Sequence, residues 1–307
     1  MSLQQPPQWS SEQFDEQRDA AIELFREQRM LEDLGRYSDE YEDARPAGAA
    51  LLALTVDLTL LRETAVAVSL VADEAFLRAL RYLAGPPISE DDLKTLADTN
   101  SLNPIRVRDE PWRATEVVET VLLGLDSHRF PWVSDDRDPT EAERQGAIIA
   151  TAALIAQRRT MTTRAHESKN LQEEAVGAAL VRAGLRQVST RDIPTFSQAP
   201  KPGEFCHESS VGGRKADLVA RLWDGRLMPI ECKVSNSSTN SVKRLNNDAA
   251  VKAGTWIEQF GSAQTVPAAV LSGVYKSHNL VDAQRHGLII FWAHDLGHLV
   301  RFIETTA

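Results

Sequence analysis

Several features are missing from this 307-residue chain, and each absence closes off a class of protein. No stretch approaches the roughly 18 consecutive apolar residues of a membrane helix. The run from Ala47 to Leu61 is broken by Asp57 and flanked by polar residues. The start, Met-Ser-Leu-Gln-Gln-Pro-Pro-Gln-Trp, lacks the basic and apolar regions of a secretory signal. Cys206 and Cys232 are the only cysteines. Reduced thiols and a cytoplasmic protein without membrane attachment are therefore expected. No Gly-x-Ser-x-Gly elbow supports a serine hydrolase, and Gly212-Gly213 lacks the lysine and Ser/Thr order of a phosphate-binding loop. His294-Asp295-Leu296-Gly297-His298 has the spacing of neither a four-ligand zinc set nor a zinc-protease helix, and reads as a strand exit. No internal repeat stands out.

What is present is the composition of a soluble globular protein, 42% apolar and 25% charged, long enough for one large domain or two ordinary ones. The net charge of -10 is unevenly spread. Residues 1–160 hold 17 Lys and Arg against 30 Asp and Glu, whereas residues 161–307 hold 17 against 14 and six of the seven histidines. Only the second part has the local field to approach phosphates.

The two parts also differ in pattern. A helix is expected from Ser11, as its cap, to about Leu34, with Gly35 as its stop. A charged connector, Arg36 to Arg45, then leads to one or two buried helices between Pro46 and Leu83, ended by Gly85-Pro86-Pro87. Ser89 caps a short helix, Asn100 to Pro111 is a loop carrying Arg106 and Arg108, and helices follow over 112–125 and 140–159. After about residue 160 a helix over 167–183 precedes β-like runs at 185–188, 215–222, 227–234, 268–275 and 287–292, interrupted by a polar helix over 242–260. The expected fold is α+β overall. A mostly helical region, 1–160, comes first. It is followed by an α/β core, 161–307, with a mixed sheet flanked by helices.

The chemistry concentrates between Gly213 and Val234. Asp217 opens one β-run, Asp224-Gly225 suits a two-residue hairpin turn, and the second run ends Ile230-Glu231-Cys232-Lys233-Val234. Side chains alternate along a strand, so Glu231 and Lys233 share a face and Cys232 points away. Two carboxylates can hold Mg2+ with several waters retained, and a neighbouring lysine can orient or help deprotonate water and stabilise charge on a phosphoryl oxygen. The Cys232 carbonyl is a further candidate metal ligand. On the helix before the hairpin, Leu171, Ala175, Ala178, Val181 and Leu185 form one apolar stripe with Glu174 inside it. Glu174 either faces the hairpin as a third carboxylate or pairs with Arg182 or Arg186 at the stripe's edge.

Asp217, Glu231, Cys232 and Lys233, set between strands with helices on either side, resemble the PD-(D/E)XK nuclease superfamily over residues 166–292. No proline precedes Asp217. The acidic helical first half, the Arg-Lys-Ala-Asp strand and the Ile-Glu-Cys-Lys-Val-Ser-Asn-Ser run further resemble the XamI family of type II restriction endonucleases. That resemblance implies Mg2+-dependent cleavage of double-stranded DNA at a short palindromic site. It also implies a homodimer and a companion DNA methyltransferase, with Asp217, Glu231 and Lys233 in the catalytic roles. Downstream, Ser235, Asn236, Ser238 and Asn240 run into Lys243, Arg244 and Asn247, short polar donors and cations suited to phosphates and base edges. Arg214 and Lys215 are candidate phosphate clamps. A repair or junction-resolving nuclease with the same site, or a non-catalytic DNA-binding module, stays open on these residues.

Overall fold

The computed structural model describes residues 5–30 and 35–307, and for Ser238 and Asn240 the backbone alone. The fold is α+β. Two compact units divide the chain: residues 1–32 with 165–307, and residues 33–164. The split differs from the expected single cut near 160, because the first helix packs with the sheet. In α1 (Ser11–Met30) Phe14 and Ala21 are buried among Leu271, Tyr275, Leu280 and Trp292. The cap is Ser10, not Ser11: Ser10 Oγ accepts the Gln13 N–H at 3.2 Å, and Gln13 Oε1 accepts the Ser10 N–H at 2.9 Å. The expected end at Leu34 lies outside the described residues.

The all-helical unit holds α2 (Gly35–Leu54), α3 (Thr64–Val71), α4 (Glu74–Arg81), α5 (Glu90–Leu96), α6 (Pro104–Asp109), α7 (Trp112–Leu123), α8 (Pro131–Ser134) and the start of α9 (Glu141–Arg182). Leu51, Leu70, Leu80, Leu93, Val117 and Val121 form its core. Gly35 opens a helix rather than ending one, and the charged connector is that helix's solvated turns. The expected loop at 100–111 contains α6, capped by Asn103 Oδ1 on the Ile105 N–H at 3.0 Å. The two helices expected over 140–183 are a single 42-residue helix.

The other unit is built on a seven-stranded mixed sheet. The strands are β1 (Arg186–Gln187), β2 (Asp192–Ile193), β3 (Glu204–Val211), β4 (Arg214–Arg221), β5 (Leu227–Ser235), β6 (Ala268–Gly273) and β7 (Ile289–Trp292). Their order is β1-β3-β4-β5-β6-β7, with β2 on the same edge as β1. β3, β4 and β5 are antiparallel neighbours, whereas β5, β6 and β7 run parallel. β3 was not foreseen, since Glu204-Phe-Cys-His-Glu-Ser-Ser-Val211 is polar for a strand. Its turn into β4 is the Gly212-Gly213 pair, both at positive φ, as a two-residue hairpin requires. The β4–β5 turn is longer than expected. Gly225 N–H bonds Leu222 O at 3.0 Å and Leu222 N–H bonds Arg226 O at 2.9 Å, which leaves a three-residue loop closed by Gly225 at φ 88°.

Both sheet faces are covered. Val176, Ala179 and Leu180 of α9, and Leu299 and Ile303 of α13 (Gly297–Glu304), pack over Leu218, Ile230, Val270 and Phe291. On the other face lie α1, α12 (Ser277–Arg285) and a long helical segment after β5. That segment consists of α10 (Ser238–Arg244), a π turn (Leu245–Ala249) and α11 (Ala250–Phe260). At the end of β6, Gly273 has φ 92°, and a Cβ there would lie 2.1 Å from Ser235 O. Gly273→Ala is expected to destabilise the protein by at least about 2 kcal/mol. Gly254→Ala, in α11 with nothing within 4 Å, is expected to stabilise it by about 0.5–1 kcal/mol. Urea unfolding midpoints check both.

Candidate active site

The site forms where β4 and β5 separate. Their ladder ends at the Leu218–Ile230 pair. One residue beyond, Asp217 Oδ2 accepts the Cys232 backbone N–H at 2.7 Å. The N–H and C=O of one strand residue point to the same side, so the Cys232 carbonyl also faces this gap. The Cys232 side chain is buried on the α9 face, and burial, then Asp217 and Glu173, push its thiol well up. Its sulfur is therefore no thiolate ligand.

Glu231 is fully buried. An isolated carboxylate there would be costly, and two lysines answer it. Lys233 Nζ lies 2.5 Å from Oε2, and Lys252 Nζ lies 3.0 Å from both oxygens. Burial, with Asp217 adding to it, still leaves the Glu231 carboxyl raised despite the two lysines. Lys233 also reaches Asp248 Oδ2 at 2.6 Å, and Lys252 donates to Lys215 O at 3.0 Å. Burial alone would lower the Lys233 ammonium, but Glu231 and Asp248 outweigh it and hold it above the usual lysine value. The π turn carries Asp248 one helical turn before Lys252, so both face β5. Tyr275 O–H anchors the strand by donating to Lys233 O at 2.8 Å.

α9 supplies the rest. Gln172 is buried and donates to Val270 O at 2.9 Å, which sets the helix's rotation on the sheet. The buried stripe is Gln172, Val176, Ala179, Leu180 and Ala183, one residue away from the stripe expected. Glu174 is consequently exposed, and its neighbour Glu173 turns inward. Lys169 Nζ bridges Glu173 Oε1 and Asp217 Oδ1, each at 3.2 Å. Burial, then Asp217, raise the Glu173 carboxyl. The third carboxylate is thus Glu173, not Glu174. Reasoning from sequence also missed Lys169 and Asp248 as site residues, and takes Lys252 for a contact to the DNA backbone rather than a partner of Glu231. The Lys169–Glu173 and Asp248–Lys252 pairs, each four apart, were the available signal.

Asp217, Glu231 and Lys233 are brought together. The foreseen DNA contacts divide. Arg214, Asn236, Lys243, Arg244 and Asn247 are exposed, with Arg244 Nη1 on Val234 O at 2.5 Å. Lys215 is exposed and paired with Glu208 at 2.8 Å, a surface bridge weak enough to yield to phosphate. Ser235 is fully buried and donates to Ser237 O at 2.9 Å, so it is not available to DNA. The side chains of Ser238 and Asn240 lie outside the described residues.

The family model describing XamI restriction endonucleases matches residues 61–292, well over half of the chain. The chain belongs to the XamI restriction endonuclease family. It is 41% identical over 269 residues to the type II restriction enzyme XamI of Xanthomonas campestris pv. amaranthicola, covering 87% of this chain and 97% of that enzyme. Among solved structures, protein VC1899 from Vibrio cholerae aligns with 90% of this chain and 58% of its own length, at 12% identity and a TM-score of 0.30. At that score the likeness carries no argument. No helix among the described residues is long and apolar enough to cross a membrane.

The crowding of Glu173, Asp217 and Glu231 has a measurable consequence in this family member. A carboxyl whose proton affinity rises on folding contributes its full stability only below its unfolded pKa, and loses it as pH rises through the folded value. Without metal, Glu173→Gln is expected to melt higher than wild type at pH 8, with the gap closing towards pH 4. Thermal melts in EDTA check this.

Proposed function

We propose that this chain is a type II restriction endonuclease that hydrolyses double-stranded DNA at a short palindromic site, with Mg2+, through a PD-(D/E)XK core. The observation that carries the reading is the meeting of Asp217, Glu231 and Lys233 at the parting of β4 and β5, amid a buried excess of carboxylate. Among the described residues no three His, Cys, Asp or Glu side chains form a ready metal cluster. Magnesium does not need one. It is held by one or two carboxylates and keeps several waters, and hard oxygen donors are what Asp217, Glu231 and the Cys232 carbonyl offer. Bound by those groups, the ion would supply charge neutralisation at the scissile phosphate and a more acidic water.

The protein's own groups divide the remaining work. Lys233, held between Glu231 and Asp248, is placed to orient the attacking water and to offset charge developing on the phosphoryl oxygen. Asp248 steadies it from the π turn. Glu173, with its raised proton affinity and its place beside Asp217, is the group suited to receive a proton from the attacking water. Lys169 and Lys252 hold the carboxylates in position. Arg214, Lys243 and Arg244 supply cations to the DNA backbone, with Asn236 and Asn247 beside them.

A palindromic site calls for a two-fold homodimer with one site per strand. Host protection calls for a companion methyltransferase and a shared cytoplasmic location. The helical unit, 33–164, is assigned to DNA wrapping and specificity. With Mg2+ and a long linear duplex, wild type is expected to give discrete bands whose sequenced ends share one motif. Asp217→Asn and Lys233→Ala are expected to cut at least roughly a hundredfold more slowly, with binding retained in gel shifts. A smear, or cutting of branched DNA alone, would favour a repair or junction-resolving enzyme. Undiminished cleavage by both variants would remove the assigned site.

A further inference from the structure

The face of α9 that its sequence marks as apolar is the face the fold leaves open. Leu171 is 65% exposed and Val181 54% exposed, and Ala175 and Ala178 between them are exposed as well. Glu174 and Arg182 lie within this stripe, both exposed, and neither forms an ion pair among the described residues. On a 100° wheel the positions from 174 to 182 are symmetric about Ala178, whereas the mirror of Leu171, Leu185, lies beyond the end of α9 and is buried. Glu174 and Arg182 lie four residues to either side, and Ala175 and Val181 three residues to either side.

That symmetry has a specific meaning. A two-fold axis through Ala178, perpendicular to the helix, sets each position opposite its mirror number on a second antiparallel helix. Ala178 then meets the partner's Ala178, Ala175 meets the partner's Val181, and Glu174 meets the partner's Arg182. Alanine at the crossing allows close helix approach. Ala175, Ala178 and Val181 gain cover, and the two charge pairs fix direction and register. A parallel pairing would instead place Glu174 against Glu174. We propose that α9 is a homodimer contact, with a second copy of this chain packed antiparallel on the Leu171–Arg182 face. The contact is isologous, as a closed two-fold dimer requires. The same helix carries Glu173 into the active site, so one element would serve both the partner and the chemistry. The inference rests on the restriction-enzyme reading only for the purpose of pairing two sites, since its geometry comes from α9 alone.

The test uses the full-length protein in sedimentation-velocity runs from 1 to 100 µM, alone and with a duplex in EDTA. Wild type is expected to reach the dimer mass. Glu174→Arg and Arg182→Glu are each expected to weaken dimerisation at least tenfold, and Glu174→Arg/Arg182→Glu together to restore it. Ala178→Cys is expected to cross-link across the axis with a short bis-maleimide, because Cys206 and Cys232 are buried. A wild type that stays monomeric even on DNA overturns the proposal. So does a dimer that ignores both single reversals, or an Ala178→Cys protein that does not cross-link. Cleavage is scored separately: a monomer that still cuts at one motif sinks the dimer alone, and a dimer that never cuts sinks the enzymatic reading alone.

Discussion

Everything around β5 follows from one buried charge. Glu231 has no exposure at all, on a strand otherwise lined by Leu227, Met228 and Ile230. A carboxylate in that setting destabilises the fold unless cations meet it with good geometry. Lys233 supplies one from the same strand face, and Lys252 supplies the other from α11. Lys252 reaches β5 because a π turn carries Asp248 and α11 towards the strand, and Asp248 in turn holds Lys233. The result is an alternating lattice of acids and ammonium groups, more charge than stability alone calls for. Such concentrations of perturbed groups are typical of places where chemistry is done.

α9 shows how much a single residue's offset matters. Its sequence offers two stripes, each with one Leu and one Val: Leu171, Ala175, Ala178 and Val181, and the one that contains Gln172, Val176, Ala179 and Leu180. The sheet takes the second. Gln172 is useful there because its amide satisfies the Val270 carbonyl, and Gly177 leaves room for the His207 ring, whose Cε1 and Nε2 would lie 3.2 Å from any Cβ. This choice turns Glu173 towards Asp217 and Glu174 away. The geometry of the candidate site is thereby tied to helix packing, and the other stripe is left exposed.

Asp217, Glu231 and Lys233 were legible in the sequence because strand alternation and a hairpin signal are local properties. The parallel strands β6 and β7 were legible as apolar runs for the same reason. Residues that enter the site from helices were not. Glu173, Lys169, Asp248 and Lys252 depend on how α9 and α11 rotate onto the sheet, and hydrophobic periodicity cannot choose between two stripes of similar strength. β3 escaped because its alternation is carried by Phe205, Ser209 and Val211 among Glu and His. The place of α1 against β6 and β7 escaped because it joins segments more than 250 residues apart.

On the proposed reading, this lattice is a divalent-metal site held closed by lysines. The most direct measurement is titration of the full-length protein with Mn2+ as a Mg2+ surrogate, followed by electron paramagnetic resonance, in wild type, Asp217→Asn and Glu231→Gln. Wild type is expected to bind saturably, and each variant at least tenfold more weakly, with folding retained by circular dichroism. Equal binding in all three proteins would contradict that reading.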